Sequence, residues 1–248
     1  MKRWRIVGIL GVMALGVTAC ASGSSGTTTI TVGAASSLTT VLPTIGEDFM
    51  RENPGITVRF SFAASSAIAE QITQGAPIDA FASAGTSSMQ PLVDAQAVTD
   101  VRAFASNSLQ IAVPPGNPGA VAGLGDLGRV TVVICQEQVP CGAATLKLFA
   151  ANDLTIEPVS LEPDVRSVLT KIETDEADAG IVYVTDVLAA GGTVMGIDIP
   201  AEQNVTTLLQ AAVVKDSTRA TAAAAFVEYL SGAQARARLA AAGFADPT

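Results

Sequence analysis

Short runs of β-branched and apolar residues alternate with amphipathic helical runs along the chain from residue 28 onward. Residues 28–32 and 56–62 predict strands. Residues 38–51, between them, predict a helix that Pro43 forces to start late or irregularly. Such alternation is typical of proteins in which helices pack against a sheet. The sequence therefore predicts an α/β fold.

A second α/β series begins near residue 108, with a strand predicted at residues 109–113 and a helix at residues 165–173, before a strand predicted at residues 208–214 brings the chain back. Two further helices follow that strand. An inserted series of this kind predicts two α/β lobes joined by two crossover strands. We assign residues 28–107 and 208–248 to lobe I and residues 108–207 to lobe II.

The N-terminus has the three parts of a secretory signal: basic residues in 1–5, an apolar run in 6–17, and small residues before Cys20. The apolar run is too short for a permanent membrane span. The residues around Cys20 resemble a bacterial lipobox, which predicts a signal peptide at 1–19 and lipidation of Cys20. Residues 20–27 then form a flexible tether. The protein is expected to be exported and held by lipid on the outer face of the cell membrane. The alternative is an ordinary signal peptide with an incidental cysteine.

The charge balance and the absence of histidine exclude several functions. Residues 1–19 contain three of the 14 basic residues and none of the 23 acidic ones, so the mature chain carries a formal charge of −12. This charge argues against nucleic acid as a partner. The chain has no histidine, which excludes histidine-based acid–base catalysis and imidazole metal ligands.

The chain contains three cysteines, at positions 20, 135 and 141. Lipidation of Cys20 leaves an even pair in an oxidising compartment, so a Cys135–Cys141 disulfide is predicted. The open alternative is a free Cys141 that acts as a thiolate nucleophile at a helix N-terminus.

Several predicted strand-to-helix turns are rich in small, hydroxyl or glycine residues. They lie at residues 33–39, 62–66 and 139–142. Such turns present free backbone N–H groups at helix N-termini, which bind anions. The alternative is that their serines are ordinary helix N-caps.

Six motifs in order along the chain resemble those of bacterial molybdate-binding proteins. Gly33-Ala-Ala-Ser-Ser-Leu-Thr39 is similar to the first binding loop of that family, and the stretch from Ser61 to Ile72 is similar to the second. The other four motifs lie at residues 75–81, 139–142, 164–166 and 180–183. The resemblance covers essentially the whole mature chain.

The resemblance implies a type II periplasmic-binding-protein fold that closes on a tetrahedral oxyanion, molybdate or tungstate. Carried over by motif, Ser37 and Ser65 donate hydroxyl and amide hydrogen bonds. Cys141 and Val165 donate backbone amides, and Tyr183 donates its phenol. Cys141 departs from the family, which usually has a small residue there. The metal is expected only within the oxyanion, without a direct protein ligand, and no catalytic residue or cofactor is expected.

The resemblance also implies partners, namely the membrane permease and the ATPase of an ABC importer, with the binding protein itself a monomer. The alternatives are a binder of sulfate or another oxyanion, a cysteine-dependent enzyme on the same fold, and a surface adhesin. Among the other polar residues, Asp79 is expected to be structural. Arg166 is expected on the surface or bracing the lobes, and Asp186 is expected to be a cap or a solvated charge.

Overall fold

The computed structural model describes residue 1 and residues 26–247. The predicted cleavage site and Cys20 lie outside the described residues. The strands are β1 (Thr28–Ala35), β2 (Ile56–Ala63), β3 (Ala80–Ser83), β4 (Val98–Val113), β5 (Val132–Cys135), β6 (Ser160–Glu162), β7 (Ala179–Tyr183), β8 (Met195–Asp198) and β9 (Thr206–Val214). The helices are α1 (Leu42–Glu52), α2 (Ser65–Thr73), α3 (Thr86–Asp94), α4 (Pro140–Ala151), α5 (Val165–Glu173), α6 (Val184–Ala189), α7 (Ala220–Leu230) and α8 (Ala233–Ala241). Within the described part of the chain, no helix is both long enough and apolar enough to span a bilayer.

The strands form one mixed sheet in the order β2-β1-β3-β9-β4-β7-β5-β6, with β8 paired to β4 outside this path. β1 pairs in parallel with β2 and β3, while β9 returns antiparallel between β3 and β4. The first part of β4, up to Ser108, pairs with β9. The last part, from Leu109, pairs with β7 and β8. β4 therefore runs through both halves of the sheet.

Separate apolar cores lie in the two halves of the sheet. One core is drawn from buried residues between Leu109 and Ile199. The other half contains two clusters on opposite faces, since alternate residues of β9 point to opposite sides: Ala211 and Val213 enter one cluster, and Ala212 and Val214 enter the other. The exact lobe limits stay a prediction.

Most predicted elements exist, but β4 is much longer than predicted. The sequence indicated a strand only at residues 109–113, whereas β4 begins at Val98. Its pairing with β9 is irregular between Thr99 and Arg102 and again between Ala103 and Ala105. Such bulges break the two-residue alternation by which a strand is recognised. The short elements β6, α6 and β8 were also missed, whereas the late start of α1 is confirmed, with Pro43 in its first turn.

The two halves of the sheet use the same local arrangement of hydrogen bonds. Asp79, just before β3, accepts the Thr31 N–H at 2.7 Å and returns its own N–H to the Thr31 carbonyl at 2.8 Å. Asp178, just before β7, accepts the Thr131 N–H at 2.8 Å and returns its N–H to the Thr131 carbonyl at 3.1 Å. Each aspartate thereby ties the start of one strand to its neighbour.

Candidate ligand-binding site

The five residues selected from the sequence line a single small cavity. Its volume is about 10 Å³, about the space that one water-sized group needs. The lining residues come from both halves of the sheet: Ala35, Ser36, Ser37, Ala64, Ser65 and Ala84 from one half, and Val139, Pro140, Cys141, Asp164, Val165 and Tyr183 from the other.

Four helix N-termini converge on this cavity. Ser37 lies in a 3-10 turn, Ser65 and Val165 are the first residues of α2 and α5, and Cys141 is the second residue of α4. Among the hydrogen bonds of the described residues, the backbone N–H groups of these four residues are not donors. The cavity is therefore surrounded by free amide groups at the positive ends of helix dipoles.

The serines are not the N-caps of these helices. The N-cap positions of the 3-10 turn, α2 and α4 are Ala35, Ala64 and Val139, and none of them makes a side-chain cap. At α5 the cap is Asp164, which accepts the Ser167 N–H at 2.9 Å. The alternative of ordinary serine caps, left open by the sequence, is therefore wrong for Ser37 and Ser65.

Two hydroxyl groups in the cavity wall are buried without a hydrogen-bond partner among the described residues. They are Ser37 Oγ and the phenol oxygen of Tyr183. Burial raises the pKa of Tyr183, and the nearby Thr207 hydroxyl lowers it. Thr207 is not counted as a partner of the phenol, because its hydroxyl donates to the Asn107 carbonyl. An unmet buried polar group costs about 1–3 kcal/mol. Both hydroxyls are therefore suited to an external ligand.

The Ser65 hydroxyl is already oriented. Its oxygen accepts the backbone N–H of Ala84 at 3.1 Å, so its own proton is left to be donated elsewhere. Ala84 follows β3 in a buried turn in which Ser83 Oγ donates to the Gly85 carbonyl at 2.7 Å. Sequence reasoning missed this turn, since its small residues carry no polar side-chain pattern beyond Ser83.

The structure contains the predicted Cys135–Cys141 disulfide. It joins the end of β5 to the first turn of α4, with a Cα–Cα distance of 5.7 Å. The same turn requires glycine at position 142, because a Cβ atom there would lie 1.8 Å from the Gln136 carbonyl oxygen. The turn that presents the Cys141 amide is thus closely constrained. A disulfide-bonded Cys141 is also not a thiolate nucleophile.

The cavity contains donors but no basic side chain. Of its lining residues only Asp164 is charged, and one of its oxygens accepts the Ser167 N–H. Among residues 26–247, no cluster of acidic, cysteine or histidine side chains suits a bare metal ion. Neutral dipoles pointing inward favour an anion that accepts many hydrogen bonds.

The sequence model of bacterial extracellular solute-binding proteins matches residues 30–245. This chain belongs to that family. It is 39% identical over 246 residues to the molybdate-binding protein ModA of Mycobacterium tuberculosis, an alignment that covers 96% of this chain and 94% of the relative. The resemblance seen in the six motifs is therefore confirmed.

Two solved structures show the fold of this family member. The periplasmic molybdate-binding protein of Azotobacter vinelandii superposes with a TM-score of 0.75 at 22% identity, covering 88% of this chain and 100% of that one. The sulfate-binding protein SubI of Mycobacterium tuberculosis superposes with a TM-score of 0.80 at 23% identity, covering 88% and 86%. The predicted type II periplasmic-binding-protein fold, with its two α/β lobes, is confirmed.

Three other polar residues for which predictions were made from the sequence are Asp79, Arg166 and Asp186. Asp79 is 2% exposed and bonds Thr31, Ser217 and Arg219, as a structural residue should. Arg166 is exposed. Asp186 is a cap, as one of the two predictions had it, but it is buried rather than solvated.

Proposed function

We propose that this solute-binding protein captures molybdate or tungstate in the cavity between its lobes and delivers it to the permease and ATPase of an ABC importer. The observation that carries the proposal is a pair of buried hydroxyls, those of Ser37 and Tyr183, that have no partner among residues 26–247 and lie among four free helix amides. The relative from Mycobacterium tuberculosis, named a molybdate-binding protein, supports the choice of ligand.

The proposed site compensates the negative charge of a dianion without using lysine or arginine. Hydrogen bonds to a charged group contribute roughly 1.5–3 kcal/mol each, and several of them offset the cost of removing the anion from water. The low effective dielectric of a closed cavity strengthens each of these bonds. The surface charge of the mature chain is largely screened beyond about 8 Å at physiological salt, so it does not prevent binding.

The candidate oxyanions differ in their protonation state near neutral pH. Molybdate, tungstate and sulfate are fully deprotonated near neutral pH and accept from every donor, whereas phosphate mostly retains a proton that needs an acceptor. The one carboxylate in the wall, Asp164, already accepts the Ser167 N–H with one of its oxygens. Phosphate should therefore bind poorly, since an unmet buried group lowers affinity by about tenfold or more. Sulfate, which is smaller, should be discriminated only by size.

Isothermal titration calorimetry with molybdate, tungstate, sulfate and phosphate tests the proposal. We expect similar affinities for molybdate and tungstate, much weaker binding of sulfate, and no detectable binding of phosphate. Ser37→Ala and Tyr183→Phe should each weaken molybdate binding by about tenfold to a hundredfold. The matched control is Ser231→Ala, because Ser231 Oγ is also buried without a partner in the described part of the chain but lies outside the cavity wall.

Three results would contradict this proposal. They are tight phosphate binding, site variants that bind as the wild type does, and a Ser231→Ala variant as weak as the site variants. Preferential binding of sulfate would favour sulfate as the ligand. The superposition with a sulfate-binding protein is the reason for including sulfate in the test.

The proposal includes export and anchoring. Cleavage before Cys20 and lipidation of that cysteine would hold the protein at the outer face of the membrane, within reach of the permease. We propose that the protein acts as a monomer in this role, and that it needs no cofactor and no catalytic residue.

A further inference from the structure

Gly85 and Pro140 lie against each other beside the cavity. Both are buried, and each adjoins a residue of the cavity wall: Gly85 follows Ala84, and Pro140 precedes Cys141. Ala84 belongs to an apolar cluster of lobe I, whereas Cys141 belongs to the core of lobe II. This contact therefore joins the two lobes at the rim of the cavity.

Space, and not backbone conformation, restricts the residue at position 85. The backbone of Gly85 is extended, with φ −172° and ψ 156°, which any residue adopts. A Cβ atom placed there would lie 3.3 Å from Cβ and 3.8 Å from Cγ of Pro140. Even one added methyl group would press against the proline ring, so the Gly85 backbone and the ring leave no free space for a side chain between them.

Each partner of this contact is held in place by interactions within its own lobe. On one side, Ser83 Oγ donates to the Gly85 carbonyl at 2.7 Å and accepts the Gly85 N–H at 3.4 Å. On the other side, the Cys135–Cys141 disulfide closes the turn that carries Pro140, and Gly142 packs tightly against Gln136. Two constrained turns in contact resist further approach, as close-packed groups do.

We propose that the Gly85–Pro140 contact is the stop that limits closure of the lobes, and that it thereby sets the size of the anion the cavity discriminates. This inference rests on the proposed function. With the separation of the lobes fixed, a larger tetrahedral dianion reaches the donors on both sides. A smaller one leaves longer hydrogen bonds on one side, and such bonds weaken with distance. Pro140 and Gly85 act by positioning the lobes, not by binding the anion.

Enlarging residue 85 tests the stop. Gly85→Ala and Gly85→Val should hold the lobes progressively further apart. For Gly85→Val we expect molybdate affinity to fall by about tenfold, the loss of roughly one good hydrogen bond, with sulfate affinity falling further still. The ratio of molybdate to sulfate affinity should therefore rise from wild type to alanine to valine, measured by calorimetry and by displacement. Gly55→Val is the matched control, since a Cβ atom at Gly55 has no neighbour within 4 Å.

Small-angle scattering supplies a second readout. The molybdate-saturated Gly85→Val protein should have a larger radius of gyration than the saturated wild type, while the free proteins match. The inference is overturned if the affinity ratio stays constant across the series, or if the saturated radii are equal. Gly85→Ala keeps the test decisive if Gly85→Val does not fold. A wild-type protein that binds neither anion would instead refute the proposed function.

Discussion

The carboxylate of Asp186 accepts the backbone N–H of Tyr183 at 3.1 Å, at the start of α6. Both residues are buried, at 2% and 1% exposure, and Tyr183 lines the cavity. The hydrogen bond holds the backbone from which the phenol reaches the cavity. It also places a carboxyl group in a buried position beside a proposed anion site.

We predict that Asp186 makes the protein less stable as the pH rises from about 4 to 7. Burial raises the pKa of Asp186 from 3.8 to about 7; the neighbouring Asp164 also raises it, whereas the Tyr183 N–H and Arg166 lower it. Because the folded state holds this proton more tightly than the unfolded chain does, the stability it contributes is present at low pH. That contribution, on the order of a few kcal/mol, is lost through this window. Asp186→Asn should remove that part of the pH dependence.

Urea unfolding at pH 5 and pH 8 measures this effect. Relative to wild type, Asp186→Asn should gain stability at pH 8, and its own difference between the two pH values should shrink. Asp216→Asn, at an exposed position, should keep the wild-type profile. Identical profiles for Asp186→Asn and wild type would contradict the prediction.

The disulfide should stabilise both the fold and the proposed site. Its loop is short, with a sequence separation of 6, so its loss should lower the free energy of unfolding by only about 2 kcal/mol. A Cys135→Ala, Cys141→Ala double variant should also bind molybdate more weakly, because the α4 N-terminus must then be ordered on binding. Reductant should lower the molybdate affinity of the wild type and leave that of the double variant unchanged. Equal affinity of oxidised wild type and double variant would refute the role in preorganisation.

The Asp79 network should matter for stability alone. Asp79 accepts hydrogen bonds from Thr31, Ser217 and Arg219, and it precedes β3, whereas the cavity lies beyond the other end of that strand. Asp79→Ala leaves the Thr31 N–H unmet and should cost about 3 kcal/mol. Arg219→Ala should cost less, since Arg219 is 43% exposed. Chemical unfolding and calorimetry together check this, and a large loss of molybdate affinity in folded Asp79→Ala protein would count against it.

Anchoring is predicted from the residues before Cys20. Mass spectrometry of the native protein should find a mature N-terminus at an acylated Cys20. We expect more than one acyl chain there, because a single chain gives only marginal membrane binding. Cys20→Ser should release the protein from membranes without changing oxyanion affinity, since the described fold begins after the tether. An unmodified Cys20 in native protein would contradict the prediction.

The periodic parts of the chain were predictable from the sequence. Helix α5 was predicted at its observed bounds, Val165–Glu173, since its apolar residues recur at helical spacing. The small-residue turns were also visible, and the resemblance to the molybdate-binding family then named five residues, all of which line the cavity. Such patterns depend on residues a few positions apart, and the chain itself carries them.

Tertiary structure decided which of these residues lack partners and which surfaces touch. Ser65 is oriented by Ala84, 19 residues away, while the Ser37 hydroxyl has no partner among the described residues. The contact of Gly85 with Pro140 and the burial of Asp186 likewise follow from how the lobes pack. The sequence determined which groups were available as donors. Their free hydrogen-bonding capacity was decided by packing, because hydrogen-bond satisfaction and burial depend on neighbours that are distant along the chain.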